Sequence, residues 1–361
     1  MWPPQWLTPV PQADLDNGEG ELFADFAEAF GIITKDSVAG PAGQLLELRG
    51  WQKELYRHVF AGDGNGYKHR ISLVGVPRKN GKSAMGSTWA LASLVLGVRG
   101  AEVYSVAASK DQARIVFADA KRMVEASPEL SGITKLYRDA IELPSTGSVY
   151  RVISAEAYSA EGLNPSATIF DELHAQPNRE LFDVMSLAMG SRGRLSTLVA
   201  ITTAGSKTDQ TGSDSIAYNL YNYGKKIATQ EIEDDTFFMA WWEAPPEADH
   251  RRRETWALAN PGFDDLNSAE DFESAVKRTP EAEFKIKRTN QWVNSKNAWL
   301  PAGTWEGLED TFELLPTDEY ILGFDGSWKN DSTAVVAVIM PRKEGDVFLV
   351  FRVASWEKDF T

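Results

Sequence analysis

The segment Pro77-Arg78-Lys79-Asn80-Gly81-Lys82-Ser83 carries the sharpest chemistry in the chain. It follows a short apolar run, residues 71–76, and opens a stretch of helical apolar spacing, residues 83–96. A Gly-Lys-Ser between strand and helix lets backbone N–H groups and a helix N-terminus surround phosphates. In that cradle, with Asn80 and Gly81, Lys82 would reach the β and γ phosphates, and Ser83 would place its hydroxyl on Mg²⁺. The usual pattern has Gly five positions before the second Gly; here Val76 stands there, and the nearest glycine is Gly75.

A second constellation ends another apolar run. Thr168-Ile169-Phe170 leads into Asp171-Glu172. One carboxylate at a strand end can hold Mg²⁺ through water, and the next can orient and deprotonate an attacking water. An acid pair capping a helix would have the same appearance, but a phosphate loop upstream favours the chemical role. A third run, residues 198–201, ends in Thr202-Thr203-Ala204-Gly205. Strand ends of this kind line the ligand crevice of a doubly wound sheet, so either hydroxyl can sense a γ-phosphate, or the strand simply ends in small turn residues. Gln52, upstream of the phosphate loop, can read an adenine edge or be an ordinary helix residue.

These side chains require strands and helices in alternation. Residues 71–76, 103–107, 167–170 and 198–202 read as buried strands. Residues 83–96 and 111–126 read as helices, and residues 141–143 and 149–153 as a hairpin about a Pro-Ser-Thr-Gly turn. Together they predict an α/β doubly wound sheet with helices on both faces. Residues 1–45 read as an N-terminal arm with a short helix near 22–30. From about 206 Tyr, Trp and charged residues dominate, and helices are expected. From 320 three strand-like runs appear: 321–324, 333–339 and 347–353.

The composition agrees with this frame. The 361 residues are 43% hydrophobic and 25% charged, which excludes a mostly disordered chain. There is no Cys, so thiolate metal sites, disulfides and a Cys nucleophile are excluded. Lys+Arg number 37 against 52 Asp+Glu, a net charge of −15, which argues against a protein that coats nucleic acid but not against one with a local grip. No apolar run is long enough for a membrane helix, and the N-terminus lacks a signal-peptide pattern, so a cytosolic protein is expected.

In this order and spacing the pieces resemble the large terminase subunit of tailed double-stranded DNA phages, in the group typified by phage HK97. The pieces are Trp51-Gln52, the 77–83 loop, Glu161-Gly162-Leu163-Asn164-Pro165-Ser166, Phe170-Asp171-Glu172-Leu173-His174-Ala175 and Thr202-Thr203-Ala204-Gly205. Downstream lie Ala259-Asn260-Pro261, Asn290-Gln291-Trp292 and Gly323-Phe324-Asp325-Gly326-Ser327 with Asp331. The resemblance covers about residues 45–340. It implies a P-loop ATPase core over 46–205, a mainly helical linker subdomain over 206–315 and, from 316 to 361, the start of a nuclease domain of RNase H-like fold. It assigns catalysis to Glu172, Arg78 and Lys82. Nucleotide binding falls on Gln52, Arg78, Asn80, Gly81, Lys82, Ser83, Thr202 and Thr203, and metal binding on Ser83, Asp171 and Asp325.

The function so implied is ATP-driven packaging of viral double-stranded DNA into procapsids in the host cytoplasm, with an endonuclease that cuts concatemers. The cofactors would be ATP with Mg²⁺, and Mg²⁺ or Mn²⁺ for a complete nuclease. The partners would be DNA, the portal protein, a small terminase subunit and further copies of the chain in a ring, with no membrane. Two features depart from the family. No Arg precedes the acid pair as a trans-acting finger, although Arg192 and Arg194 are candidates to replace it. The nuclease acids other than Asp325 would fall beyond Thr361, so an incomplete nuclease is expected. The alternatives are a helicase-like translocase without nuclease activity, and an assembly protein that only binds nucleotide. Keeping both Lys82 and Glu172 counts against the last, since binding alone needs no water-activating acid.

Overall fold

The structure is a computed structural model of the whole chain, and it describes residues 1–154, 162–209, 212–294, 306–325, 333–343 and 346–356. Glu161, Gly326, Ser327 and Asp331 therefore lie outside the described residues. The chain forms two compact units, Met1–Ala298 and Trp299–Thr361.

Among its described residues the first unit is built on nine strands: β1 (Trp6–Leu7), β2 (Ile71–Gly75), β3 (Glu102–Ala107), β4 (Lys135–Leu136), β5 (Ala140–Leu143), β6 (Ser148–Ser154), β7 (Ala167–Asp171), β8 (Thr197–Thr202) and β9 (Phe237–Trp241). Its helices are α1 (Gln12–Asp16), α2 (Gly20–Phe30), α3 (Gly50–Val59), α4 (Lys82–Val95), α5 (Lys110–Ala126), α6 (Pro128–Ile133), α7 (Glu180–Ala188), α8 (Ile216–Ala228), α9 (Arg253–Ala259), α10 (Ala269–Ala275) and α11 (Glu281–Thr289). The sheet order is β1-β9-β2-β8-β7-β3-β6-β5-β4. The six strands from β9 to β6 run parallel. Antiparallel pairs close both edges, with the expected hairpin as β5 and β6.

A parallel sheet covered on both faces must be apolar on both. In β7, β8 and β9 every residue is buried. Alternate residues face opposite cores. Phe238 and Ala240 join Trp51, Tyr56, Trp89 and Phe117 under α2 to α5. Phe237, Met239 and Trp241 join Phe182, Met185 and Tyr221 under α7 and α8. Helices α9 to α11 enclose a small core of Trp256, Phe272 and Phe284.

Two regions differ from the sequence reading. The expected N-terminal arm is built into the unit: β1 pairs with β9, and Phe23, Phe26 and Ala27 of α2 lie in the main core. The expected helical region contributes a strand, β9, beside the phosphate-loop strand. The second unit holds β10 (Tyr320–Asp325), β11 (Thr333–Ile339) and β12 (Leu349–Trp356), an antiparallel sheet in that order.

His69, just before β2, is buried, and its ring stacks on Phe238 with centroids 5.2 Å apart. Burial holds its imidazole down at about 4, below the ordinary 6.5. A folded value below the unfolded one means this stability is complete above pH 6.5 and is lost as pH falls toward 4. In urea unfolding at pH 7.5 and pH 5, His69→Gln is therefore expected to lose less stability on acidification than the parent. The expected difference is about 2 kcal/mol; equal losses would refute it.

Candidate functional site

The C-terminal ends of three adjacent strands make the floor of a crevice. Gly75 of β2 lies opposite Thr202 of β8, and Asp171 of β7 opposite Ile201. Two further hydrogen bonds carry the ladder past the strand ends, Val76 N–H to Thr202 O at 3.1 Å and Glu172 N–H to Ile201 O at 2.8 Å. The loop from β2 to α4 and the acids after β7 are thus held at one level.

The loop turns through two left-handed residues, Lys79 (φ 69°) and Gly81 (φ 82°). Gly81 is also the N-cap of α4, and it offers no side-chain acceptor to the first turn. By contrast α5, α6, α8 and α10 each begin at a serine whose hydroxyl accepts a first-turn N–H. A serine cap satisfies an otherwise unpaired donor; the glycine leaves those of α4 for an anion. Ser83 sits half-buried in that first turn.

Lys82 is buried, with its ammonium 3.2 Å from the Val76 carbonyl and 3.7 Å from Glu172 Oε1. Burial lowers its pKa against the opposing pull of Glu172 and Asp171. Burial would also raise Glu172, but Lys82 and His174 outweigh it and hold that carboxyl at about 2. Asp171 is pushed up to about 7, by burial first and then by the Glu172 charge. The two acids therefore differ in kind. Glu172 is a fixed carboxylate, and Asp171 is a buried carboxyl that a divalent cation would ionise. Ser83 and Asp171 offer hard oxygen donors, a set that fits Mg²⁺ completed by substrate phosphates.

Gln52 on α3 is buried against this loop. Its Oε1 accepts the Arg49 N–H at 3.0 Å, and a Cβ on Gly81 would come within 3.1 Å of its Nε2. Beside it opens a cavity of about 260 Å³, with Ile32, Leu46, Leu48 and Met85 among its walls. Its lining also carries Gln44 and charged groups such as Lys35, Arg49 and Asp119; apolar walls beside the Gln52 amide are suited to a flat heteroaromatic base. Arg78 is exposed on the loop, and its N–H donates to Lys287 O at 3.0 Å.

The Asn80 side chain does not face this crevice. Its Nδ2 donates to Asn260 Oδ1 at 2.8 Å, and its Oδ1 accepts the Gly262 N–H at 3.0 Å. Asn260 in turn donates to Arg288 O on α11 at 2.7 Å. The side chain of Asn80 is thus a clasp between loop and helical region, and only its backbone remains for a phosphate. A similar bridge is made by Asn290, whose Oδ1 accepts the Ala204 N–H and whose Nδ2 donates to Trp242 O, both at 2.6 Å. Neither role is visible in the sequence.

Arg192 and Arg194 do not stand at the crevice. Arg192 donates to Gly100 O and Asn164 O, and Arg194 to Tyr67 O and Asp63. These partners precede β3, β7 and β2, so both guanidiniums sit at the other end of the strands. Asp325 closes β10 and is exposed. Among the described residues no group of three or more His, Asp or Glu is placed to hold a metal.

His174 has no role assigned from the sequence. It follows the acids in a 3₁₀ turn, and its Nδ1 lies 3.1 Å from Glu172 Oε2 and 3.0 Å from Thr202 Oγ1. Thr203 Oγ1 lies 3.4 Å from the same nitrogen. Thr202 and Thr203 are both buried.

The family described as "Terminase large subunit, ATPase domain" matches residues 50–226. The one described as "Terminase large subunit, endonuclease domain" matches residues 231–353. The large terminase subunit of Enterobacteria phage HK97 is 28% identical over 329 residues, 88% of this chain and 62% of that protein. The chain thus spans less than two thirds of that relative's length. The crystal structure of the HK97 large terminase superposes with a TM-score of 0.64 at 26% identity, covering 94% of this chain and 68% of the other.

Proposed function

The chain belongs to the large-subunit family of phage terminases, and from that premise we propose that it is an ATP-hydrolysing motor subunit that moves viral double-stranded DNA into procapsids. The observation that carries this reading is the convergence of Lys82, Glu172 and Thr202 at neighbouring strand ends.

Lys82 exchanges the carbonyl of Val76 for the β and γ phosphates, to which its ammonium is a closer charge match. The N–H groups of the loop and of the first turn of α4 hold the remaining phosphate oxygens. Gln52 and the apolar walls of the cavity hold the base. Ser83 and Asp171 hold Mg²⁺, which when bound supplies positive charge against the phosphates. Glu172 orients the attacking water and accepts its proton. Arg78, exposed on the loop, meets the charge that develops on the γ-phosphate. Thr202 and Thr203 pass the state of the phosphate to β8.

The partners follow from the same reading: DNA, the portal protein, a small terminase subunit and further copies of the chain in a ring, at work in the host cytoplasm. No described helix is long and apolar enough to cross a membrane. Asp325 is the candidate nuclease acid of the second unit.

Two measurements test this. ATP turnover should be stimulated by portal-bearing procapsids with DNA beyond DNA alone; equal stimulation would favour a helicase-like translocase, and none would favour a nucleotide-binding assembly protein. The 361-residue chain should also leave plasmid DNA intact in Mg²⁺ or Mn²⁺, because in-line cleavage needs metals caged by several carboxylates. Nicking that disappears in Asp325→Ala would overturn that expectation.

A further inference from the structure

The neighbours of His174 compete for one hydrogen atom. Thr202 Oγ1 donates to Thr203 O at 2.9 Å and accepts the His174 backbone N–H at 3.0 Å. With that proton on the Thr203 carbonyl, the 3.0 Å contact with His174 Nδ1 is made with the nitrogen as the donor. The same Nδ1 lies 3.1 Å from Glu172 Oε2, an oxygen that is buried and has no well-directed hydrogen bond. One N–H thus faces Thr202 Oγ1 at the end of β8 and Glu172 Oε2 on the acid, with Thr203 Oγ1 farther off at 3.4 Å.

We propose that His174 is a positioning residue that hands its Nδ1–H between Thr202 and Glu172. With the bond on Thr202, Glu172 is oriented by Lys82 alone. With the bond on Glu172, the carboxylate is held from both sides, through Oε1 and Oε2. A small displacement at the end of β8 selects between the two, so strand movement and water activation share one hydrogen bond. Gly205 leaves the room this needs. A Cβ there would meet His174 Cβ at 3.1 Å and Cδ2 at 3.2 Å, so a methyl group would press on the ring.

The inference rests on the ATPase reading and can fail separately from it. Three variants, His174→Ala, His174→Asn and Gly205→Ala, are compared in the full chain by ATP affinity and by single-turnover hydrolysis. Asn places an N–H close to where Nδ1–H stands. His174→Ala is expected to bind ATP within about twofold of the parent and to hydrolyse it roughly tenfold or more slowly, an effect on the order of one bond to a charged group. His174→Asn is expected to recover most of that loss, and Gly205→Ala to lower the rate without changing affinity. Parent-like hydrolysis by His174→Ala, or equal losses in the Ala and Asn variants, would overturn the proposal. If His174→Ala fails to fold, the Asn and Gly205 variants still decide it, since a parent-like rate in Gly205→Ala sinks the proposal. Absence of ATP turnover in the parent would instead remove the ATPase reading.

Discussion

Glu172→Gln is expected to bind ATP at close to the parent affinity and to lose turnover by a factor on the order of 10² or more. The amide has nearly the same shape, so it fits between Lys82 and His174. It cannot accept a proton, and it lacks the negative charge that Lys82 and His174 hold on the carboxylate. The loss therefore belongs to the chemical step. Lys82→Ala should do the reverse in order of effect and weaken the nucleotide complex itself. Equilibrium binding of a fluorescent ATP analogue, measured alongside steady-state phosphate release, separates the two. Hydrolysis by Glu172→Gln at the parent rate would show that another group activates the water.

The second large effect concerns stability. Gly75 is the last residue of β2, and a Cβ there would lie 1.9 Å from Trp241 Cε3. Trp241 cannot retreat. It is fully buried, stacks on Trp292 with ring planes 13° apart, and donates from Nε1 to Glu243 at 3.0 Å. Gly75→Ala must then displace either the strand or the indole. Overpacking in a closed core costs roughly 1–3 kcal/mol and sometimes more, and this overlap falls at the upper end. Against a total stability of about 5–15 kcal/mol, a marked drop in melting temperature is expected. A parent-like melting curve would mean that β9 is free to shift. The same contact explains the displaced glycine of the phosphate loop. Val76 occupies the usual position, fully buried with its side chain in the main core, while Gly75 serves the indole rather than a phosphate.

Local signals made the centre of the fold legible. β2, β7 and β8 are apolar runs ending in Gly75, Asp171 and Thr202, and α4 has helical spacing after a glycine. What escaped was of two kinds. β9 carries a strand signal, lying in six consecutive apolar residues between acids and a Pro-Pro pair, but its aromatic setting made it read as helical. The clasp of Asn80 with Asn260 and the bridge of Asn290 leave no local signal, because each joins residues far apart in sequence. Arg192 and Arg194 show the converse. Their type suits a finger, but within this chain both are tied to backbone carbonyls at the other end of the strands from its own crevice.

The clasp has a consequence for how the chain comes off the ribosome. Residues 77–83 are made early, but Asn80 finds Asn260 only 180 positions later. β9 and Asn290 are also late to emerge. A nascent chain of about 230 residues would carry every side chain assigned to ATP chemistry, yet it would lack β9, one of the two neighbours of β2, and the partners of the loop. Pairing that waits on distant segments is slow and leaves unpaired strand edges open to wrong partners. Nucleotide competence should therefore arrive late in synthesis and all at once, when α11 leaves the exit tunnel.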